Sequence, residues 1–329
     1  MTELVVADLS EEELLARIVP LLGPTRALVG NGDDAAVLAA PDGRYVVSTD
    51  VLVEDRHFRT DWSTGFDVGW RAAMQNVADV AAMGARPTHL VMALVLPGAT
   101  PVAWVEDLAW GFGAACERHG ADVVGGDLSS GRELVVAVTV HGDLEGQAPV
   151  LRSGARPGDT LAHAGVRGWS AAGLAILEAG AAPDTIEHGA RLVRGYLRPE
   201  PPVVLGALAA VAGATSLLDV SDGLLRDAGR IARASRVTLV LHDPAEAFAE
   251  DASVLAPAAG RLGADVAGWL LTGGEDHGLL ATFPPGARVP EGFRTVGTVH
   301  QPEGDVGRVL VDGRPASDGA TGWDHFTGR

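Results

Sequence analysis

Along 329 residues, short apolar runs that suit strands are interleaved unevenly with stretches of helical periodicity. This uneven order is the tightest constraint on the fold. A doubly wound sheet needs regular strand–helix–strand repetition, and an all-helical bundle leaves no place for strands. Arg44–Asp50, Thr88–Leu96, Asp122–Gly125 and Glu133–Gly142 read as strands, set among helices at Phe66–Met83 and from Thr100 to Gly120. An earlier helix opens at Ser10, with Glu11, Glu12 and Glu13 at its positive end and an apolar stripe of Leu14, Leu15, Ile18, Leu21 and Leu22. The expected class is α+β.

The stretch 146–158 (GQAPVLRSGARPG) is rich in Gly, Pro and Arg and reads as a domain boundary. It divides the chain into an N-terminal mixed α/β domain over 1–148 and a C-terminal α+β domain over 149–329. In the second, strands are expected at Asp159–Ala164, Ser216–Val220, Val237–Leu241, His277–Phe283, Thr295–Val299 and Val306–Val311. Helices are expected at Ser170–Ala179, Val203–Ala212 and Leu224–Ala234. The uncharged segment Pro201–Leu218 begins with two prolines and is mostly Ala, Gly and Val. It reads as a buried helix running into a strand, not as a membrane span. Met1–Ser10 lacks the basic and apolar regions of a secretory signal, so a cytoplasmic location is expected.

Composition excludes several chemistries. All 25 basic residues are Arg, and no Lys occurs. A Walker A loop, a protein-kinase strand lysine and a Schiff-base mechanism are therefore ruled out. The net charge of -18 argues against nucleic acid or anionic lipid as a partner. Cys116 is the single cysteine, which forbids an internal disulfide, and it reads as a buried thiol. The ten His show no zinc-ligand pairing.

Acidic residues recur beside Gly or small hydroxyl residues, in places read as the ends of apolar strands: Gly32-Asp33-Asp34, Ser48-Thr49-Asp50, Gly125-Gly126-Asp127, Asp219-Val220-Ser221-Asp222-Gly223 and Gly273-Gly274-Glu275-Asp276. Glycine lets a backbone approach an anion closely, and carboxylates with hydroxyls are the hard oxygen ligands that magnesium prefers. Turn chemistry alone accounts for any one cluster. Five such clusters suggest a site for metal-bridged polyphosphate. Asp79 adds to them, because its helical neighbours Gln75, Asn76, Ala82 and Met83 form a small, apolar and amide face on which a bare carboxylate is costly. An ion pair with Arg86 is the structural alternative. Arg152 could contact a phosphate or be an exposed linker residue.

These segments resemble one family. GDDAAVL (32–38), STDVLVEDRHF (48–58), NVADVAAMGARP (76–87), GGDLS (125–129), RSGARPGD (152–159), SAAGLAIL (170–177), LDVSDGL (218–224), LTGGEDH (271–277) and GWDHF (322–326) run in the order found in the thiamine-monophosphate kinase family, of the aminoimidazole ribonucleotide synthetase and selenophosphate synthetase superfamily. The resemblance implies transfer of the ATP γ-phosphoryl group to thiamine monophosphate, several magnesium ions, and a homodimer formed through the N-terminal sheet. It implies that the N-terminal domain binds ATP and magnesium and that the C-terminal domain completes the active site. By position, Asp34, Ser48, Thr49, Asp50, Asp79, Asp127, Asp219 and Asp222 would be metal ligands. Gly126, Asp127, Arg152 and Ser221 would lie on the nucleotide. His57, Glu275 and Trp323 would face the thiamine moiety. The chain departs from the family at His277, where an aromatic residue is common, and at Ala320, where some members carry a stacking Trp. The alternatives are another ATP-dependent synthetase of the superfamily, or a non-catalytic magnesium–nucleotide-binding protein.

Overall fold

The computed structural model describes residues 4–31, 35–302, 307–315 and 322. These divide into two compact units, one within residues 1–80 and 85–146 and the other within 81–84 and 147–329. The first carries α1 (Glu11–Ile18), β1 (Val46–Val53), α2 (Gly65–Ala81), β2 (Arg86–Leu96), α3 (Val102–Arg118), β3 (Asp122–Ser130) and β4 (Val135–Asp143). Its sheet has the order β1-β4-β2-β3. β4 runs antiparallel to both neighbours, while β2 and β3 are parallel, as a connection through α3 allows.

Local chemistry starts the helices. Ser10 Oγ accepts from the Glu13 amide, and the Glu13 carboxylate accepts from the Ser10 amide, which closes a capping box on α1. Thr64 and Asp67 repeat the device at the start of α2. Further along, α2 and α3 touch backbone to backbone. A Cβ at Gly69 would run into the Leu108 carbonyl, so only glycine permits this crossing. β1 follows strict alternation, with Ser48, Asp50 and Leu52 on the more buried side and Val47, Thr49 and Val51 exposed.

The second unit carries β5 (Thr160–Ala164), α4 (Trp169–Glu178), α5 (Gly189–Leu197), α6 (Val203–Val211), β6 (Ser216–Val220), α7 (Leu224–Ser235), β7 (Thr238–Leu241), α8 (Pro244–Ala247), α9 (Ala249–Leu262), α10 (Val266–Thr272), β8 (Gly278–Phe283), β9 (Phe293–His300), β10 (Arg308–Val311) and β11 (Arg314–Pro315). Its sheet has the order β11-β10-β7-β9-β5-β8-β6. Among the described strands of this sheet, only the β10–β7 pair is parallel. The core includes Leu161, Ile176, Ile231, Leu255 and Leu280. This is the mixed, two-sheet α+β fold that the uneven periodicity predicts.

Several boundaries differ from expectation. β3 does not stop at Gly125 but pairs with β2 through Ser130, past a bulge beside Leu90/Val91. Gly125–Asp127 therefore lies within a strand and not in a turn after one. Ser48–Asp50 is likewise mid-strand. Leu270 and Leu271 belong to α10, whose start is capped by Asp265 accepting from the Ala267 and Gly268 amides. α6 is only partly buried, with Val204 at 67% and Val211 at 70% exposure. No helix among the described residues is long and apolar enough to cross a membrane. Cys116 is buried, and burial pushes its thiol pKa up.

His163 on β5 is fully buried, packs edge-on to Phe248, and neither ring nitrogen has a hydrogen-bond partner. Burial first, then the charges of Arg294 and Arg167, holds its pKa well below the ordinary histidine value of 6.5. Because the unfolded chain binds this proton and the folded chain does not, stability is kept above pH 6.5 and lost as pH falls below it. His163→Leu is expected to flatten the stability curve by about 1.4 kcal/mol per pH unit between pH 6 and 5. Urea unfolding at several pH values reads this slope, and parallel curves would refute it.

Candidate functional site

On the more buried face of β1, Ser48 Oγ donates to Asp79 Oδ2 of α2 at 2.7 Å. One helical turn earlier, Gln75 Nε2 donates to Asp50 Oδ2 at 3.3 Å. The spacing of two along the strand and four along the helix brings these pairs together. Arg86, the alternative partner for Asp79, instead pairs with Glu145 at 2.9 Å. Two carboxylates and a hydroxyl thus share one face.

Thr49 and Asp127 are not brought onto that face. Alternation turns Thr49 outward, where its hydroxyl donates to the Val138 carbonyl at 2.8 Å. Strand register aligns Asp127 with Ala93, Ala137 and Val51, the row next to Asp50, so its side chain leaves the opposite face of the sheet. Three strand spacings separate β1 from β3, about 14 Å. There Gly126 and Asp127 line a cavity of about 850 Å³ with Leu15, Ile18, Ala93 and Thr139. His57 lies just past β1, where its Nδ1 accepts from the Val53 amide at 3.0 Å.

In the second unit, β6 ends at Asp219-Val220 and the turn Ser221–Gly223 leads into α7. Asp222 is held by Arg230 and lies 3.8 Å from Arg226. Its amide donates to the buried Asp227 carboxylate at 2.9 Å. Burial raises Asp227 to about 6, against the opposing charge of Arg230. The second loop, 273–277, folds against this turn. The Glu275 amide donates to the Ser221 carbonyl at 2.7 Å, and a Cβ at Gly274 would come within 2.5 Å of the same oxygen, so glycine is needed there. The His277 ring lies between Asp219, at 3.5 Å, and Glu275, at 3.9 Å.

Arg152 is exposed on a short 3₁₀ turn, and its carbonyl accepts from Ser235 Oγ at 2.8 Å. Asp34 and Trp323 lie outside the described residues. Sequence reading missed Arg167, which is buried against the 273–277 loop; only its flanking glycines hinted at a special backbone. Asp276 stands in the Gly273–Asp276 cluster, but its capping of α4 through the Gly168 and Ser170 amides has no local sequence signal.

The fold and this oxygen-lined face point to the AIR synthase class. The family model described as AIR synthase related protein, N-terminal domain, matches residues 32–144. A thiamine-monophosphate kinase of Mycobacterium tuberculosis is 50% identical over 303 residues, covering 92% of this chain and 87% of that protein. Among solved structures, the thiamine-monophosphate kinase from Stenotrophomonas maltophilia K279a aligns with a TM-score of 0.79 at 32% identity, covering 94% of this chain and 98% of that one. AaThiL complexed with AMPPCP and TMP aligns with a TM-score of 0.77 at 31% identity, covering 86% and 87%. The chain belongs to the thiamine-monophosphate kinase family.

Proposed function

We propose that this chain transfers the γ-phosphoryl group of ATP to the phosphate of thiamine monophosphate, giving thiamine diphosphate, as a magnesium-dependent cytoplasmic homodimer. The observation that carries the metal-dependent part is the Ser48–Asp79 contact beside Asp50, an acidic group on a helix face otherwise made of small apolar and amide side chains. The donor chemistry fits magnesium, since it consists of carboxylates, a hydroxyl and an amide. Among the described residues no three His, Cys, Asp or Glu converge. Magnesium needs no such cage, because it takes one or two carboxylates and completes its shell with water and substrate phosphates. Asp50, Asp79 and Ser48 would hold one such ion, which the outward-facing Thr49 and Asp127, on the opposite face of the sheet, would not share. Bound magnesium would neutralise polyphosphate charge and favour in-line transfer.

The chain's own residues do the rest. Arg152 and Ser221 contact the nucleotide, and Arg suits this task through its planar fork of donors. Glu275 orients the acceptor. The acceptor oxygen is already anionic, so no strong general base is required. Transfer is direct, with inversion at phosphorus, and the protein's work is to position two anions. Val47 and Val51, 61% and 45% exposed on the edge strand β1, support pairing of two chains through this sheet.

A coupled assay with ATP, magnesium and thiamine monophosphate tests the proposal. Thiamine diphosphate should form only with magnesium present, while aminoimidazole and selenide substrates stay inert. No product from thiamine monophosphate would sink it.

A further inference from the structure

The loop joining α10 to β8 is unusual backbone. Glu275 and His277 adopt φ of 67° and 52°, a left-handed region that residues other than glycine occupy only where their surroundings hold them. Asp276, between the two, supplies much of that hold. Its Oδ2 accepts from the Gly168 amide at 2.6 Å and from Arg167 Nη1 at 3.1 Å, and its Oδ1 accepts from the Ser170 amide at 2.8 Å. The carboxylate thus caps α4, a helix whose own N-cap, Gly168, has no side chain to offer. The same guanidinium donates through Nε to the Leu270 carbonyl at 2.9 Å and through Nη2 to the Gly273 carbonyl. One Arg therefore ties the last turn of α10, the first residue of the loop and Asp276 into a single unit. Both side chains are buried, at 0% and 1% exposure, so a small-molecule substrate does not reach them in this conformation. A buried ion pair is also weak as a source of net stability. What it supplies here is geometry, and Glu275, only partly exposed, is the product of that geometry.

We infer that Arg167 and Asp276 are positioning residues for the acceptor: they set the 273–277 loop so that Glu275 meets thiamine monophosphate in one orientation. This rests on Glu275 being an acceptor contact, as proposed above. Neither residue touches substrate, so their effect must pass through Glu275.

The test is a kinetic double-mutant cycle. Asp276→Asn should raise KM for thiamine monophosphate about tenfold while changing KM for ATP less than about twofold. Arg167→Lys, which keeps the charge but loses the three-way fork, should give the same split. In a Glu275→Ala background both changes should shrink below about twofold, since the residue they act through is gone. Amide hydrogen exchange at Glu275 should quicken in both variants, an outcome readable without turnover. Equal fold-changes with and without Glu275, an unchanged acceptor KM, or failure of both variants to fold would overturn the inference and leave the pair a structural one. A wild-type chain inert toward thiamine monophosphate would instead sink the functional reading, with the exchange experiment still deciding whether the pair fixes the loop.

Discussion

Asp50→Asn lowers the rate of thiamine diphosphate formation about a hundredfold or more and leaves the fold intact. The two halves of this expectation have separate causes. Asn has nearly the volume of Asp and retains an oxygen that can accept from Gln75 Nε2, now 3.3 Å from the carboxylate. The pairing of Asp50 with Val138 in the β1–β4 ladder uses backbone groups only. Packing and ladder therefore survive. What disappears is one negative charge beside Asp79, and with it the attraction for a divalent cation that must be held against water. The magnesium concentration for half-maximal rate should rise along with the loss of kcat. Asp79→Asn should behave alike, whereas Ser48→Ala, which removes a neutral ligand, should cost less. Magnesium titrations with urea unfolding as the control read all three. Near-normal rate and magnesium dependence in both Asp50→Asn and Asp79→Asn would break the site as drawn.

How much of this was legible in sequence depends on the range of the interaction. Ser10 and its glutamates announced α1 because a capping box lies within four residues. Asp79 was legible as anomalous because helix neighbours are fixed by spacing alone. The Gly125–Asp127 segment reads locally as a turn because glycines signal turns, while the extension of β3 is decided by pairing with β2, 34 residues away. The same ladder decides that Asp127 and Asp50 leave opposite faces, a consequence of register that no local motif encodes. Leu270-Leu271 could have been read correctly, since Asp265 is a good N-cap six residues upstream of that pair's end. Arg167 could not. Its partners are carbonyls and a carboxylate more than 100 residues on, and no periodicity marks them.

That long-range pair gives the largest stability effect expected in the second unit. Asp276→Leu leaves the Arg167 guanidinium buried without an anion, and should destabilise by about 3–5 kcal/mol. The Gly168 and Ser170 amides lose their acceptor in the same step, so the cost falls at the high end of that range. Such a loss is a large part of the roughly 5–15 kcal/mol that holds a typical domain together. Arg167→Met/Asp276→Leu should be more stable than Asp276→Leu alone, because the stranded charge has gone while the apolar volume remains. Urea unfolding, followed by hydrogen exchange of α4 and β8 so that the second unit is read by itself, checks both variants. A single variant that loses less than about 1 kcal/mol would show the guanidinium finding another anion or water. The double variant also separates two functions of one ion pair. If it regains stability but not the acceptor KM, then packing suffices to hold the second unit together, and the charge pair is needed for the one thing packing does not provide, the fixed left-handed turn that presents Glu275.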